Sequence, residues 1–276
     1  MPVTAGPIYP GIKDGLIFAV DPANPGSWQG PTSDNVNNLV SFHSNLSGSI
    51  QNDTSGSYGD NESFTFDGID SYIDHGDQTT FRSLIPSQAK TLSIWFNMHT
   101  QSSNSVVPMG FRWWPQAPYR GYSITITSAG LVNYTFFYNS SNVTRYYNLQ
   151  SNSAISTNQW YNVVVTDKGN AKVPNVHKNN TSGENNAAIT GSIEIYLNGQ
   201  SIASTPYTQY VEDAFSTTSF ANPTKFNLGA AQGHYTSGNA SYFDGDIGPS
   251  LLYNRELSAS EVLQNYNRLK GRFGLT

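Results

Sequence analysis

The sequence predicts an all-β protein, a sandwich or barrel of about ten strands with a single helix near the C-terminus. Three observations carry this. Apolar residues recur with period two in several runs, as half-buried strands require. Those runs are separated by Gly, Asn, Asp and Pro, the residues that build turns. A helical period behind a helix-start signature occurs convincingly once, at residues 258–269.

The elements follow in order. Residues 15–21 form the first strand, and residues 63–67 and 72–74 two short ones around the Asp67-Gly68 turn. Leu92, Ile94, Phe96 and Met98 alternate with Thr91, Ser93, Trp95 and Asn97. Tyr122, Ile124 and Ile126 repeat the alternation, as do Val132, Tyr134, Phe136 and Tyr138. Residues 160–166 form a further strand; Trp95 and Trp160, lying in strands, read as structural. Ile193, Ile195 and Leu197 lead into Asn198-Gly199, whose tolerance of positive φ marks a hairpin. Residues 225–229 and 248–253 complete the strands. Polar stretches near 167–190 and 204–224 exceed what a plain hairpin needs and read as insertions. The helix starts with the capping box Ser258-Ala259-Ser260-Glu261, continues through Val262, Leu263, Tyr266 and Leu269, and is expected to stop at Gly271. At about 12 residues it is too short to stand alone, so its apolar stripe must pack on the sandwich.

Composition excludes several function classes. Charged residues are 12% of the chain, about half the usual share. The 29 Asn outnumber the 14 Lys and Arg together, and aromatics reach 13%. The formal net charge of −5 argues against nucleic-acid binding. Without cysteine there is no disulfide, thiol nucleophile or zinc-thiolate site. No apolar run reaches the 18 residues or so of a membrane helix, and residues 1–11 lack the pattern of a secretory signal, so no membrane insertion is expected.

Several segments together resemble the concanavalin A-like lectin/glucanase superfamily, and within it the laminin-G-like jelly rolls of tailed-bacteriophage virion proteins. They are Gly15-Leu16-Ile17-Phe18-Ala19-Val20-Asp21, Phe66-Asp67-Gly68-Ile69-Asp70-Ser71-Tyr72-Ile73, Thr91-Leu92-Ser93-Ile94-Trp95-Phe96 and Gln159-Trp160-Tyr161-Asn162-Val163-Val164-Val165-Thr166. Ile195-Tyr196-Leu197-Asn198-Gly199 and Phe243-Asp244-Gly245-Asp246-Ile247-Gly248 follow, and the close is Tyr253-Asn254-Arg255-Glu256-Leu257-Ser258 with Gly271-Arg272-Phe273-Gly274-Leu275. The resemblance implies a two-sheet antiparallel jelly-roll sandwich spanning residues 15–276, preceded by an extended arm, residues 1–14, in which Pro2, Pro7 and Pro10 disfavour regular structure. It also implies that the first and last strands are neighbours. It further implies a non-enzymatic virion protein, assembled in the host cytoplasm, oligomeric in the particle and docked on capsid or tail proteins. The alternative is an adhesin of a tail or head fibre that binds host cell-surface glycans. A polysaccharide-degrading glycosidase ranks below both, because the paired carboxylates of the superfamily's glucanases have no counterpart and Glu194 stands alone in its strand.

The densest candidate site is Phe111, Arg112, Trp113 and Trp114 with Tyr119, Arg120 and Tyr122. Aromatics beside Arg suit a glycan platform, a subunit interface or a packed satellite core. Pro108, Pro115 and Pro118 argue against a regular strand there. No catalytic residues and no obligatory cofactor are expected. Calcium is the one metal with candidate ligands, Asp67 with Asp70 or Asp244 with Asp246. Against it, Asp67 and Asp70 read as turn residues that bond backbone N–H groups. The five His are scattered and read as surface or loop residues.

Overall fold

The computed structural model describes residues 11–52, 55–57, 63–76, 79–84, 88–113, 120–140, 143–169, 171–173, 187–211, 225–231 and 241–276. Seventeen strands are described: β1 (Leu16–Val20), β2 (Asn35–Val36), β3 (Gly48–Gln51), β4 (Ser55–Ser57), β5 (Ser63–Asp67), β6 (Tyr72–Asp74), β7 (Lys90–Met98), β8 (Val106–Trp113), β9 (Arg120–Ile126), β10 (Leu131–Ser140), β11 (Val143–Ala154), β12 (Trp160–Asp167), β13 (Ala171–Val173), β14 (Ala187–Leu197), β15 (Gln200–Val211), β16 (Lys225–Leu228) and β17 (Asp244–Tyr253). A short helix α1 (Thr79–Ser83) and the C-terminal α2 (Ala259–Leu269) join them, with 3₁₀ turns at Ser41–Leu46 and Lys270–Phe273. No helix among the described residues is long and apolar enough to cross a membrane.

The strands form two antiparallel sheets. The first runs β13-β14-β12-β7-β17-β5-β4, with β15 also on β14 and β1 also on β17. β5 pairs with the first half of β17 and β1 with its second half, so the opening and closing strands are neighbours as expected. The second sheet runs β11-β10-β9-β8-β16-β6-β3-β2. The alternating apolar residues meet between the sheets: Phe18, Phe64, Phe66, Leu92, Ile94, Phe96, Val163 and Ile195 from the first, Phe111, Tyr122, Ile124, Tyr134 and Phe226 from the second. This is a two-sheet jelly-roll sandwich.

Four expectations need correcting. β7 is buried on both faces except at Asn97, because the C-terminal segment covers its outer side. Trp95 stacks there on Phe273, with centroids 4.5 Å apart, and on Tyr266 at 5.7 Å. Gly271 does not stop the helix. The chain stays coiled through Lys270–Phe273, which brings Phe273 onto the sheet, and Gly274 then ends it at φ 70°. Pro108 does not prevent a strand: the register shifts between Val106 and Met109, and the Pro108 carbonyl accepts from Gly229 N–H at 2.9 Å. Finally, parts of the supposed insertions, residues 171–173, 187–190 and 204–211, are sheet. β14 and β15 pair over their whole lengths about the Asn198-Gly199 turn (φ 51° and 77°), and β13 lies along β14. Residues 174–186 and 212–224, like the arm residues 1–10, lie outside the described residues.

The capping box forms as read. Ser258 Oγ accepts from Glu261 N–H, and Glu261 accepts from Ser258 N–H. Arg255 adds a two-pronged ion pair to Glu261 and, with the cap, pulls its carboxyl down to about 2 despite partial burial. The apolar stripe of α2 then buries Val262, Tyr266 and Leu269 on the first sheet.

Candidate functional site

The two outer faces of the sandwich differ. The first sheet's outer face carries Leu16, Ala19, Val164, Tyr196, Leu251 and Tyr253 and is packed with Leu257 and Val262 from the C-terminal segment. The second sheet's outer face is polar. Side chains alternate along a strand, so residues flanking an inward Ile73, Ile124, Tyr134 or Phe226 point outward. These are Tyr72 and Asp74 on β6, Ser123 and Thr125 on β9, Asn133 and Thr135 on β10, and Lys225 and Asn227 on β16.

Register places many of them in one line across the sheet. Ser49 pairs with Asp74, Asp74 with Asn227, Asn227 with Gly110, Gly110 with Ser123, Ser123 with Thr135 and Thr135 with Asn148. Gly110 is needed at its place, because a Cβ there would lie 2.6 Å from Ser123 Cβ. Lys225 forms an ion pair with Asp74 on this face, and both stay partly exposed. Tyr72 and Tyr242 border it, ring centroids 6.5 Å apart. Burial, with Tyr72 and the acidic Asp70 and Asp67 nearby, raises the Tyr242 hydroxyl to about 12, so it stays a neutral hydrogen-bonding group.

Asn227 stands out in this row. It is 1% exposed, yet neither its Oδ1 nor its Nδ2 has a hydrogen-bond partner. On β10 of the same sheet, Asn133 Oδ1 is also buried and unpaired, while its Nδ2 donates to Thr135 Oγ1 at 2.9 Å. A buried amide without partners costs about 1–3 kcal/mol for each missing bond, and native proteins show few.

The residues singled out from sequence divide. Phe111 and Tyr122 are fully buried between the sheets, so of the three readings only packing applies to them. They are core because β8 and β9 turn these positions inward. The Tyr122 hydroxyl donates to the Phe81 carbonyl at 3.3 Å. Arg112 is the register partner of Lys225, which brings its strand position beside the polar row, and Trp113 pairs with Arg120. Trp114 and Tyr119 lie outside the described residues.

The candidate calcium ligands are engaged within the protein. Asp67 Oδ1 accepts from the N–H groups of Ile69, Asp70 and Ser71 and from Ser71 Oγ, at 2.8–3.2 Å. Burial pushes its carboxyl up, but these donors outweigh that and hold it below the usual value. Asp70 is exposed and takes part through its backbone: its N–H donates to Asp67, and its carbonyl accepts from Asn52. Asp246 accepts from Thr65 Oγ1 at 2.7 Å and contacts His99 Nε2 at 2.9 Å, and Asp244 accepts from Thr100. A calcium ion at either place would have to displace these partners. Among the described residues no group of three or more His, Cys, Asp or Glu side chains could hold a metal.

His75 corrects the surface reading of the histidines. It is 1% exposed, held between Phe18 and Phe226, because it follows the inward Ile73 by two positions. Asn227 and its row were missed for a different reason: residues 225–228 read only as a short strand, and the row exists only once seven strands are in register.

Residues 67–174, under half of the chain, match a laminin G family model described as concanavalin A-like lectin/glucanases superfamily, which supports that superfamily. No curated protein matches by sequence. Among solved structures, domain 4 of AbnA, an extracellular arabinanase of Geobacillus stearothermophilus in complex with arabinotriose, aligns at TM-score 0.57 and 14% identity, over 92% of this chain and 100% of that one. The receptor binding domain of botulinum neurotoxin type G aligns at 0.56 and 13%, over 95% of this chain and 54% of that one. The binding domain of botulinum neurotoxin serotype C1 aligns at 0.52 and 14%, covering 92% and 52%. The chain thus spans about half the length of the toxin domains. At these identities the likeness is one of fold.

Proposed function

We propose that the chain is a non-catalytic, lectin-like module that binds glycans through the outer face of its second sheet. The observation that carries this is the asymmetry of the two outer faces. One is sealed by the protein's own C-terminal segment, while the other carries a polar row whose Ser49, Asp74, Lys225 and Asn148 reach solvent and whose Asn227, Ser123 and Thr135 are buried. Such neutral donors and acceptors suit sugar hydroxyls, and the weakly charged composition agrees. The arabinanase domain, matched over its full length, is seen with arabinotriose and supports the ligand class. The toxin domains add less, since half of each lies outside the match. A hydrolytic role finds little support: on this face the described residues offer the single carboxylate Asp74, already paired with Lys225, where glycoside hydrolysis ordinarily uses two.

For setting we propose the particle of a tailed bacteriophage, with capsid or tail proteins as neighbours. The support is the ordered run of segments from Gly15 to Leu275 that resembles phage virion jelly rolls. A glycan array with the purified full chain tests the binding. Retention of at least one glycan, without release of oligosaccharide products, is expected. No retained glycan would overturn the reading, and released oligosaccharides would replace it with an enzyme.

A further inference from the structure

We infer that a sugar ring of the ligand packs its C–H face on the Tyr72–Tyr242 pair, at the β3–β6 side of the second sheet's outer face. The inference rests on the glycan-binding reading and adds to it a place and a mode of contact.

The pair is built by alternation and by backbone bonds. Ile73 and Phe243 point into the core, so Tyr72 and Tyr242, one position before each, turn outward. Phe243 N–H donates to the Gly229 carbonyl at 2.8 Å and Val107 N–H to the Ser241 carbonyl at 3.2 Å. These bonds tie residues 241–243 to β8 and to the end of β16. Two rings far apart in sequence thereby meet with centroids 6.5 Å apart and planes at 41°.

Solvent reaches this corner. Tyr72 and Tyr242 are each partly exposed, and so is Gln51, the register partner of Tyr72 on β3. The turn that leads into β6 exposes Asp70 and Ile69, the latter to 72%. A ligand here needs no way into the buried part of the polar row. The surroundings are also held in place. Asp67 accepts from the backbone of Ile69, Asp70 and Ser71, and Asn52 Nδ2 donates to the Asp70 carbonyl at 3.0 Å. A platform fixed in advance loses little ordering entropy when it binds.

Polar groups border the rings. Burial raises the Tyr72 hydroxyl, with the Asp74 charge adding to this and Lys225 opposing it, so a neutral hydroxyl stands beside that ion pair. The Tyr242 hydroxyl is neutral as well, with Asp70 and Asp67 on its side. Apolar aromatic surface with a few polar groups at its rim is what a sugar ring, apolar on its C–H face and hydroxylated at its edge, can use. Charges of both signs flank the pair. Asp67 and Asp70 lie toward Tyr242, Asp74 and Lys225 toward Tyr72, and beyond Lys225 comes the strand position of its register partner Arg112. Packing on the rings serves neutral and anionic sugars alike.

The experiment measures binding of arabinotriose, and of each oligosaccharide the array retains, to the full chain and to four variants: Tyr72→Ala, Tyr242→Ala, Tyr72→Phe and Tyr242→Phe. Each Ala variant is expected to weaken binding on the order of tenfold, and each Phe variant, which keeps the ring, by less than about threefold. Unfolding temperatures identify a variant whose loss is one of folding. In the unmutated protein, NMR should show the ring protons of Tyr72 and Tyr242 shifting on saturation with a retained glycan, a readout that needs no variant. If either Ala variant binds like the unmutated chain, or the ring protons stay in place, the placement is wrong and glycan binding is left standing. If the Phe variants lose as much as the Ala variants, the hydroxyls carry the contact and stacking is overturned. If the unmutated chain binds no glycan, both this inference and the functional reading fall.

Discussion

His75 makes the protein acid-sensitive in a definite window. Its Nδ1 lies 3.0 Å from the Leu46 carbonyl, which can only accept, so Nδ1 carries the proton. Nε2 is buried with no partner, and the ring lies edge-on to Phe18 at 4.8 Å. Burial lowers the imidazole to about 4, against smaller opposing effects from the Leu46 hydrogen bond and the Asp74 charge. At pH 7 neither the folded nor the unfolded state carries the extra proton. Below about 6.5 the unfolded state takes it up and the folded state does not, so stability falls as pH drops, until the folded imidazole also protonates near 4. The slope is about 1.4 kcal/mol per pH unit, so roughly 3 kcal/mol is lost across the window, a large part of a typical 5–15 kcal/mol. Urea unfolding followed by tryptophan fluorescence from pH 7 to 4.5 measures the slope. In His75→Gln, which can still donate to Leu46 but cannot titrate, it should flatten, with somewhat lower stability at pH 7. Equal slopes in the two proteins, or an NMR titration of His75 near 6.5, would refute the reasoning.

Other perturbations have defined outcomes. Lys90 and Asp167 form a fully buried ion pair at 2.8 Å, with the Tyr134 hydroxyl also on Asp167, so Lys90→Met should cost about 3–5 kcal/mol in denaturant unfolding. Lys90→Met with Asp167→Leu should recover most of that, and a double variant no better than the single would contradict the view that the buried charge causes the loss. Ser258→Ala removes the side-chain cap of α2 and should cost about 1 kcal/mol by the same assay. Glu261, held at about 2, adds stability that is complete above about 4.5 and fades as pH falls toward 2; Glu261→Gln should abolish that dependence in acid unfolding curves. Gly199→Ala places a Cβ 2.9 Å from Tyr266 at φ 77°, so it should lower the unfolding temperature, with a cost of about 1 kcal/mol or more.

The strands legible in sequence were those whose alternation is local. β7, β9, β10 and the β14–β15 turn follow from period two and from Asn198-Gly199. The misread places share a cause: tertiary partners decided them. The outer side of β7 was read as its polar face, yet Trp95, rightly read as structural, is buried there because Tyr266 and Phe273 return to it from the far end of the chain. Phe111 and Tyr122 stayed open among glycan platform, subunit interface and packed core because nothing local reveals that β8 and β9 turn these two inward. Pro108 seemed to forbid a strand because a bulge is set by register with the neighbours. The polar row was invisible for the same reason. Each member sits unremarkably beside an apolar neighbour, and only pairing across seven strands joins Ser49 to Asn148.

The stability cost of the second sheet's outer face bears on its role. Gly110 and Gly121 weaken the strands that hold them, and an unpaired amide at Asn227 adds an unfavourable desolvation. A sheet serving only to close the core could replace all three with β-branched residues wherever space allows, and at the first sheet's outer face Val164 and Leu251 are apolar and covered. Local departures from good packing gather where a protein has another task. Here they gather on the face that the C-terminal segment leaves alone, in a line spanning strands that are far apart in sequence. Repacking that line toward apolar residues should therefore stabilise the sandwich and, on the proposed glycan-binding reading, abolish retention on the glycan array, whereas the same exchange beneath α2 should change stability alone.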